Sequence, residues 1–229
     1  MISLSQCPRN HQAGFSLLEM AVVLIILGLL LGGLLGPLSA QQKTKLQSKA
    51  NQQLIEIENA LLGFASAHGY LPCPASSASA GLEARNGANN CTNEFGFPPA
   101  QTLGLQGVRD NNGRLLDPWL APIRYSLSSV GGWEYAKNIQ LNGSAADYRV
   151  CAESACTNVK AQNVVAVVIS LGEDGTTSTT STDQLENTDG DSTFVSRTFS
   201  EGASNEFDDT VRWMSTNILV YQLVNAGRM

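Results

Sequence analysis

Near its N-terminus the chain reads Gly14-Phe15-Ser16-Leu17-Leu18-Glu19, and an apolar run continues from there to Gly36. Over residues 15–36, which number 22, the only charged side chain is that of Glu19. A helix of this length spans ~33 Å, which matches the hydrocarbon core of a bilayer. A carboxylate within such a helix costs ~2.5–3.5 kcal/mol at the bilayer centre and less near its edge. The sequence therefore predicts a transmembrane helix over residues 15–36 and a functional partner for Glu19.

Two plainer interpretations of this segment remain open. One is an ordinary membrane anchor, and the other is a secretory signal peptide cut after Ala40, where Leu38-Ser39-Ala40 loosely resembles a small-residue cleavage site. The apolar run is longer than that of a usual signal peptide, and an acid stands near its start where basic residues are expected. Neither interpretation gives Glu19 a role.

The stretch at residues 14–19 resembles the cleavage motif of type IV prepilins, a family that includes the pseudopilins of type II secretion. In that family a dedicated peptidase cuts after the glycine, and the new N-terminus is methylated. The resemblance implies a leader at residues 1–14, cleavage between Gly14 and Phe15, and methylation of Phe15. It also implies that Glu19 meets the N-terminal amine of a neighbouring subunit during assembly, since opposite charges attract strongly in lipid.

The resemblance also implies partners and a location. The partners are other pilin or pseudopilin subunits, prepilin peptidase, an inner-membrane assembly platform and membrane lipid. The protein is expected in the inner membrane as a single-pass protein with a periplasmic head, and then in a pilus or pseudopilus. Lys43, Lys45 and Lys49 follow the apolar segment and by the positive-inside rule favour the opposite orientation. The cysteines favour the periplasm, because disulfides need an oxidising compartment.

Cysteine spacing predicts two disulfides in the head. The chain has five cysteines, and four remain when Cys7 leaves with the leader. We expect the pairs Cys73–Cys91 and Cys151–Cys156, although four cysteines allow three pairings and buried free thiols remain an alternative.

The residues after Gly36 predict an α+β protein with a long N-terminal spine helix. Pro37 should kink or locally melt this helix. Over residues 37–69 apolar residues recur every three or four positions and form one amphipathic face that ends near Gly69: Leu46, Ala50, Leu54, Ile57, Leu61, Phe64 and His68. The head, residues 70–229, is predicted as an antiparallel sheet packed on this helix, with strands near 123–127, 132–136, 148–151, 164–171, 194–199 and 211–214. A C-terminal helix capped by Ser215 or Thr216 follows.

Asp117-Pro118-Trp119, with Pro122 and Tyr125, resembles the Asp-Pro-Trp-Gly-x-Pro-Tyr segment of major pseudopilins from type II secretion. Leu120 stands where glycine is usual, and Ile123 stands where an aromatic residue is usual. The two prolines predict a turn ahead of a strand, with Trp119 in the core. Any proline-rich turn before a strand would give a similar pattern.

An acidic loop follows the predicted central strand. Ser170-Leu171-Gly172-Glu173-Asp174-Gly175 resembles the stretch that precedes the calcium loop of major pseudopilins. Carboxylates are ligands that Ca²⁺ prefers, so we expect Asp174 with one or more of Asp183, Glu186 and Asp189 to hold Ca²⁺. A second acidic run contains Glu206, Asp208 and Asp209. The alternative is a solvated acidic loop without a metal.

Composition argues against two further classes of function. A net charge of −6 makes nucleic acid an unlikely partner, because its phosphates bind clustered Lys and Arg. No nucleophile motif, zincin motif or phosphate loop is present, so we expect no enzyme. Three hypotheses remain: a minor subunit of a type IV pilus, a pseudopilin of type II secretion, and a membrane-anchored periplasmic binding protein that does not polymerise.

Overall fold

The computed structural model describes residues 14, 16–140, 143–175, 181–202 and 206–229, with no description of the side chains at 31–40. In chain order the elements are α1 (Leu17–His68), β1 (Phe95–Gly96), β2 (Arg124–Leu127), α2 (Val130–Lys137), β3 (Tyr148–Cys151), β4 (Val159–Ser170), α3 (Thr182–Glu186), β5 (Thr193–Val195), β6 (Thr210–Ser215) and α4 (Thr216–Asn225). The α+β class predicted from the sequence is therefore confirmed. Most of the predicted leader, residues 1–13, and Phe15 lie outside the described residues.

The long helix α1 has 52 residues and continues through Pro37. Local melting at Pro37 is therefore a wrong expectation. A proline removes one hydrogen bond of the helical ladder, and the uninterrupted ladder on both sides keeps the backbone helical. The helix ends as predicted, because Gly69 takes a left-handed φ of 83° and donates its N–H to the Ala65 carbonyl at 2.7 Å.

The chain divides into two compact units, residues 1–44 and residues 45–229. The second unit contains the C-terminal part of α1 and all of the β-strands. Its sheet has the strand order β1-β2-β4-β3-β5, and β6 pairs with β4 as well. The long strand β4 thus lies at the centre of the sheet, as its continuous apolar run predicted.

One strand pair departs from the predicted antiparallel sheet. The pairs β1–β2, β2–β4, β3–β4 and β4–β6 are antiparallel, whereas β3–β5 is parallel. Strand β4 reverses the chain after β3, and the segment with α3 reverses it again before β5. This crossover connection makes the sheet mixed.

The core of the second unit lies on both faces of β4. One cluster packs the fully buried Leu54 and Ile57 of α1 together with Val165 and Val168. The other cluster contains Tyr148, Val150, Val164, Val167, Ile169 and Phe194. The amphipathic face of α1 is therefore confirmed as one wall of the core, and each such aliphatic side chain stabilises the fold by ~1.5–3 kcal/mol.

The strand predicted at residues 132–136 is wrong, because these residues belong to the short helix α2. Gly131 and Gly132 take left-handed φ values of 64° and 69°, and Trp133 follows with 69°. This left-handed turn is open to glycine without steric cost and cannot continue a strand. Tyr135 then packs inward and donates its hydroxyl to the Ser144 carbonyl at 2.7 Å. The apolar alternation around Trp133 was too short to distinguish a helix from a strand.

The remaining predicted elements need smaller corrections. Strand β4 begins at residue 159 rather than 164, and the strand predicted at 194–199 is limited to the three residues of β5. Helix α4 starts as predicted, with the Ser215 hydroxyl accepting from the Ile218 N–H at 3.4 Å. Both expected disulfides are formed, with Cα separations of 5.2 Å for Cys73–Cys91 and 5.1 Å for Cys151–Cys156.

Candidate functional site

Gly14 has no structural reason to be glycine in the described part of the chain. It is exposed, and a Cβ atom built on it meets no atom within 4 Å. Its backbone also lies outside the left-handed region that favours glycine.

Ser16 caps the start of α1. Its hydroxyl accepts a hydrogen bond from the Glu19 backbone N–H at 3.1 Å, and its carbonyl accepts from the Met20 N–H at 3.2 Å. The pattern Ser-x-x-Glu at residues 16–19 is a capping-box sequence, which also indicates a helix start at this position. Glu19 therefore lies in the first turn of α1, where the helix dipole favours a negative charge.

The first turns of α1 expose an almost continuous apolar surface. Side chains from Leu17 to Leu30 are exposed, with 90% of Leu17 and 75% of Leu18 accessible. Such a surface in a folded protein marks a site for lipid or for protein partners. Within the residues whose side chains are described, no helix is both long and apolar enough to cross a membrane. The predicted transmembrane half, residues 15–36, includes Phe15 and side chains outside this description, so membrane anchoring stays a prediction.

Asp117 organises the turn whose sequence resembles a segment of major pseudopilins. This carboxylate is buried, and its Oδ1 accepts from the Trp119 and Ala121 N–H groups at 2.9 Å each. Its Oδ2 accepts from the Ser170 hydroxyl at 2.7 Å, which ties the turn to the end of β4. Burial is the main influence on Asp117 and raises the pKa of its carboxyl. Trp119 is half-buried rather than a core residue, so the predicted core position for it is wrong.

The acidic segments come together differently from the predicted calcium set. Carboxylate oxygens of Asp174, Asp208 and Asp209 lie within 4.8 Å of one another, and we call this group the acidic cluster. Antiparallel pairing of Ser170 with Thr210 creates it, because the residues after β4 then lie beside the residues before β6. Both acidic runs are visible in the sequence, but the strand register that brings them together is not.

The other predicted calcium ligands lie elsewhere. Asp183 forms an ion pair with Arg197 at 2.8 Å and accepts from the Ser154 N–H at 2.9 Å. Glu186 and Asp189 form a separate, more exposed acidic group together with Asp191. The structure therefore divides the four predicted residues among three places.

Two buried amides support the acidic cluster. Gln184 donates its Nε2–H to Asp208 at 2.6 Å, and Asn187 donates its Nδ2–H to Asp209 at 2.7 Å. Burial, followed by the charge of Asp174, raises the pKa of Asp208 to about 6. Burial also raises the pKa of Asp209 well above its usual range, against the effect of the Asn187 hydrogen bond. The donor set consists of hard oxygen atoms that repel one another, which fits a divalent cation such as Ca²⁺.

Residues 9–35 match the family described as the prokaryotic N-terminal methylation motif. This match confirms the prepilin resemblance of residues 14–19 and supports a pilin-like or pseudopilin-like substrate of prepilin peptidase. The motif also implies assembly with other pilin subunits, and a membrane-anchored state before association with a pilus. No curated protein and no solved structure matches the chain.

Proposed function

We propose that this chain is a structural, minor subunit of a type IV pilus or pilus-like filament, processed between Gly14 and Phe15. One observation carries the proposal: the exposed apolar surface of early α1 holds a single carboxylate, Glu19, which lies within a motif that marks a new N-terminus. In a filament such surfaces pack against one another and lose their contact with water. Glu19 then pairs with the methylated amine of a neighbouring subunit.

The alternative is a pseudopilin of type II secretion. The turn around Asp117 and the glycine pattern around Asp174 favour it, since both resemble segments of major pseudopilins. Two features favour a divergent minor subunit instead. The head is stapled by two disulfides, and Leu120 occupies a left-handed position, with φ of 70°, where the pseudopilin segment has glycine.

We further propose that the head has a binding or packing role rather than an enzymatic one. The single histidine after the leader, His68, is exposed at the end of α1, with its Nδ1 within 2.9 Å of the Phe64 carbonyl. A membrane-anchored binding protein that never polymerises remains the contrasting hypothesis, because it would need the anchor but not Glu19.

Mass spectrometry of the N-terminal peptide tests the processing step. We expect a methylated Phe15 in sheared surface fibres if the filament is a pilus. A methylated Phe15 found only in the washed envelope would favour the pseudopilin or a rare initiating subunit. An intact Met1 end, or a start at Gln41, would contradict the proposal.

Substitution of the assembly carboxylate separates the filament from the non-polymerising protein. Glu19→Ala should abolish incorporation into filaments while leaving the processed protein in the membrane fraction. Glu56→Ala is the matched control, because Glu56 is an exposed carboxylate on the same helix and lies outside the motif. Normal incorporation of the Glu19→Ala protein would contradict the assembly role of Glu19, and absence of the wild-type protein from filaments would favour the non-polymerising alternative.

We also propose that the acidic cluster binds Ca²⁺ through Asp174, Asp208 and Asp209, in place of the set expected from the sequence. The proximity of three carboxylates and the burial of two of them support this assignment. Bound Ca²⁺ would supply positive charge that offsets their mutual repulsion. Titration of the full-length protein with Ca²⁺ against a chelator tests it, and an unchanged melting temperature would contradict it.

A further inference from the structure

A small cavity of about 120 Å³ lies where the two ends of the curled sheet approach each other. Phe95, Arg124 and Ser126 line it from β1 and β2, and Thr188, Gly190 and Phe194 line it from the segment around β5. In β2, Tyr125 and Leu127 belong to the core that contains α1. Side chains alternate along a strand, so Arg124 and Ser126 face the opposite side of the sheet and the cavity. We call this cavity the Arg124 pocket.

Arg124 differs from most other arginines of the head in having no acidic partner among the described residues. Within the described residues, four arginines of the head form ion pairs, namely Arg85 with Glu83, Arg114 with Asp110, Arg197 with Asp183 and Arg212 with Glu58. The Nε atom of Arg124 is shielded from solvent and has no hydrogen-bond partner in the part of the chain that the structure describes. Buried donors are normally paired, so this unpaired Nε–H group calls for an explanation.

The orientation of the Arg124 guanidinium is fixed by stacking. Its Cζ atom lies 5.0 Å from the centroid of the Phe97 ring, and Cζ of Arg114 lies 4.9 Å from the same ring. Burial and the charge of Arg114 lower the pKa of Arg124, and an arginine nevertheless stays cationic at neutral pH. A half-buried cation without a counterion loses part of its hydration, which favours the entry of an anion.

Among the described residues, the acidic side chains that flank Thr188 and Gly190 do not supply that anion. Glu186, Asp189 and Asp191 flank the pocket residues Thr188 and Gly190 but form their own group. Burial and the neighbouring acids raise the pKa of Glu186. Arg149 is the cation that partly offsets this rise. Asn187, the other polar residue of this wall, uses its amide on Val195 and Asp209.

We propose that the Arg124 pocket binds a carboxylate group presented by another molecule. The planar guanidinium matches the geometry of a carboxylate, and paired hydrogen bonds between them are common. The volume suits one small group, since pockets for larger ligands measure ~300–1,000 Å³. Phe95 and Phe194 provide apolar walls for the carbon atoms that carry the carboxylate. Its source is either an acidic side chain of a neighbouring subunit or a free organic acid.

Arginine side-chain NMR on the full-length protein in detergent micelles tests this binding. The protein is labelled with ¹⁵N-arginine and titrated with sodium acetate against sodium chloride at equal ionic strength. We expect one Nε–Hε signal to shift saturably with acetate, with a midpoint in the millimolar range, and to be missing in Arg124→Lys. Arg149→Gln changes an exposed arginine and should keep the response.

A change in chemical shift that is the same in acetate and chloride would overturn the proposal, and so would a change spread over the signals of several arginines. If Arg124→Lys does not fold, backbone amide signals of Ser126 and Thr188 in uniformly labelled wild type give the same test. Saturable shifts at both amides support a ligand in the pocket, and their absence overturns it.

Two further measurements identify the source of the carboxylate. Mass spectrometry of an acid extract detects a stoichiometric organic acid if the ligand is a free molecule. If no acid is recovered, Arg124→Gln should lower filament yield several-fold while Arg149→Gln does not, which identifies a carboxylate of a neighbouring subunit. Acetate binding without either effect would mean that the pocket has no natural carboxylate ligand, and would overturn the proposal. The acetate titration does not depend on filament formation, so its outcome is separate from the proposed function.

Discussion

Replacement of Asp117 by alanine should destabilise the head strongly, whereas replacement by asparagine should not. Both oxygens of the Asp117 carboxylate accept hydrogen bonds, from two backbone N–H groups of its own turn and from the Ser170 hydroxyl. Alanine removes both acceptor oxygens and with them all three hydrogen bonds. Asparagine keeps an oxygen for the two N–H groups, and the Ser170 hydroxyl can rotate to accept from its amide.

The magnitude follows from the groups that alanine leaves without partners. The Ala121 N–H is buried and the Trp119 N–H is half-buried, and each loses its acceptor at a cost of ~1–3 kcal/mol. Removal of a buried carboxylate, whose pKa is already raised by burial, offsets part of this cost. We expect a net loss of ~3–4 kcal/mol for Asp117→Ala, which for a chain of this size lowers the melting temperature by about 10 °C. Asp117→Asn should stay within ~1 kcal/mol of the wild type.

Thermal unfolding of the full-length protein in detergent micelles, followed by tryptophan fluorescence, measures both variants. Asp110→Ala is the matched control, because Asp110 also caps a turn, accepting from the Asn112 and Arg114 N–H groups at 2.9 Å each. Its side chain is partly exposed, so water replaces the lost bonds and the effect should be much smaller. Equal destabilisation by Asp117→Ala and Asp117→Asn would refute the reasoning, since it would mean that the charge matters rather than the acceptors.

Four further predictions concern the head. Ca²⁺ should raise the melting temperature of the head at pH 7.5. The increase should be much smaller below pH 6, where Asp208 is protonated, and it should be absent in Asp208→Asn. Without Ca²⁺, stability should fall as pH rises from about 4 to 6, because the folded state holds the Asp208 proton more tightly than the unfolded chain. Leu120→Gly should leave the free energy of unfolding unchanged or raise it by up to ~1 kcal/mol, because it relieves a left-handed φ of 70° at a largely exposed side chain. A decrease in this free energy of more than ~1 kcal/mol would contradict the prediction. Serine substitution of the Cys73–Cys91 disulfide should lower the free energy of unfolding, measured by chemical denaturation, by ~3 kcal/mol. The same change at Cys151–Cys156, which closes a shorter loop, should lower it by ~2 kcal/mol. The reverse order would contradict the chain-entropy argument.

Periodicity predicted those elements whose packing is visible along one stretch of chain. The spacing of Leu54, Ile57 and Leu61 identified the buried face of α1, and all three side chains are at most 1% exposed. The continuous apolar run of β4 likewise identified a central strand that is covered on both faces. In each case the local pattern and the tertiary environment require the same residues.

Features that depend on register or on single backbone angles were not visible in the sequence. The acidic cluster exists because Ser170 pairs with Thr210, and no local pattern specifies which residues of two strands lie opposite each other. Helix α2 depends on left-handed angles at Gly131 and Gly132, which an apolar alternation over a few residues cannot reveal. The Arg124 pocket was invisible for the same reason, since its two walls are more than sixty positions apart in the sequence.

The glycine pattern around Asp174 acquires a physical meaning from this geometry. At Gly172, φ is 69° and a Cβ atom would lie 2.3 Å from the Asp208 carboxyl carbon, so any side chain would displace that carboxylate. At Gly175, a Cβ atom would lie 2.6 Å from Cβ of Leu171, so the loop could not close over β4. The Glu173 N–H also donates to Asp208 at 2.6 Å. The segment that resembles pseudopilins therefore shapes a loop around a carboxylate that lies more than thirty residues later, which is why sequence comparison within the loop could not find Asp208.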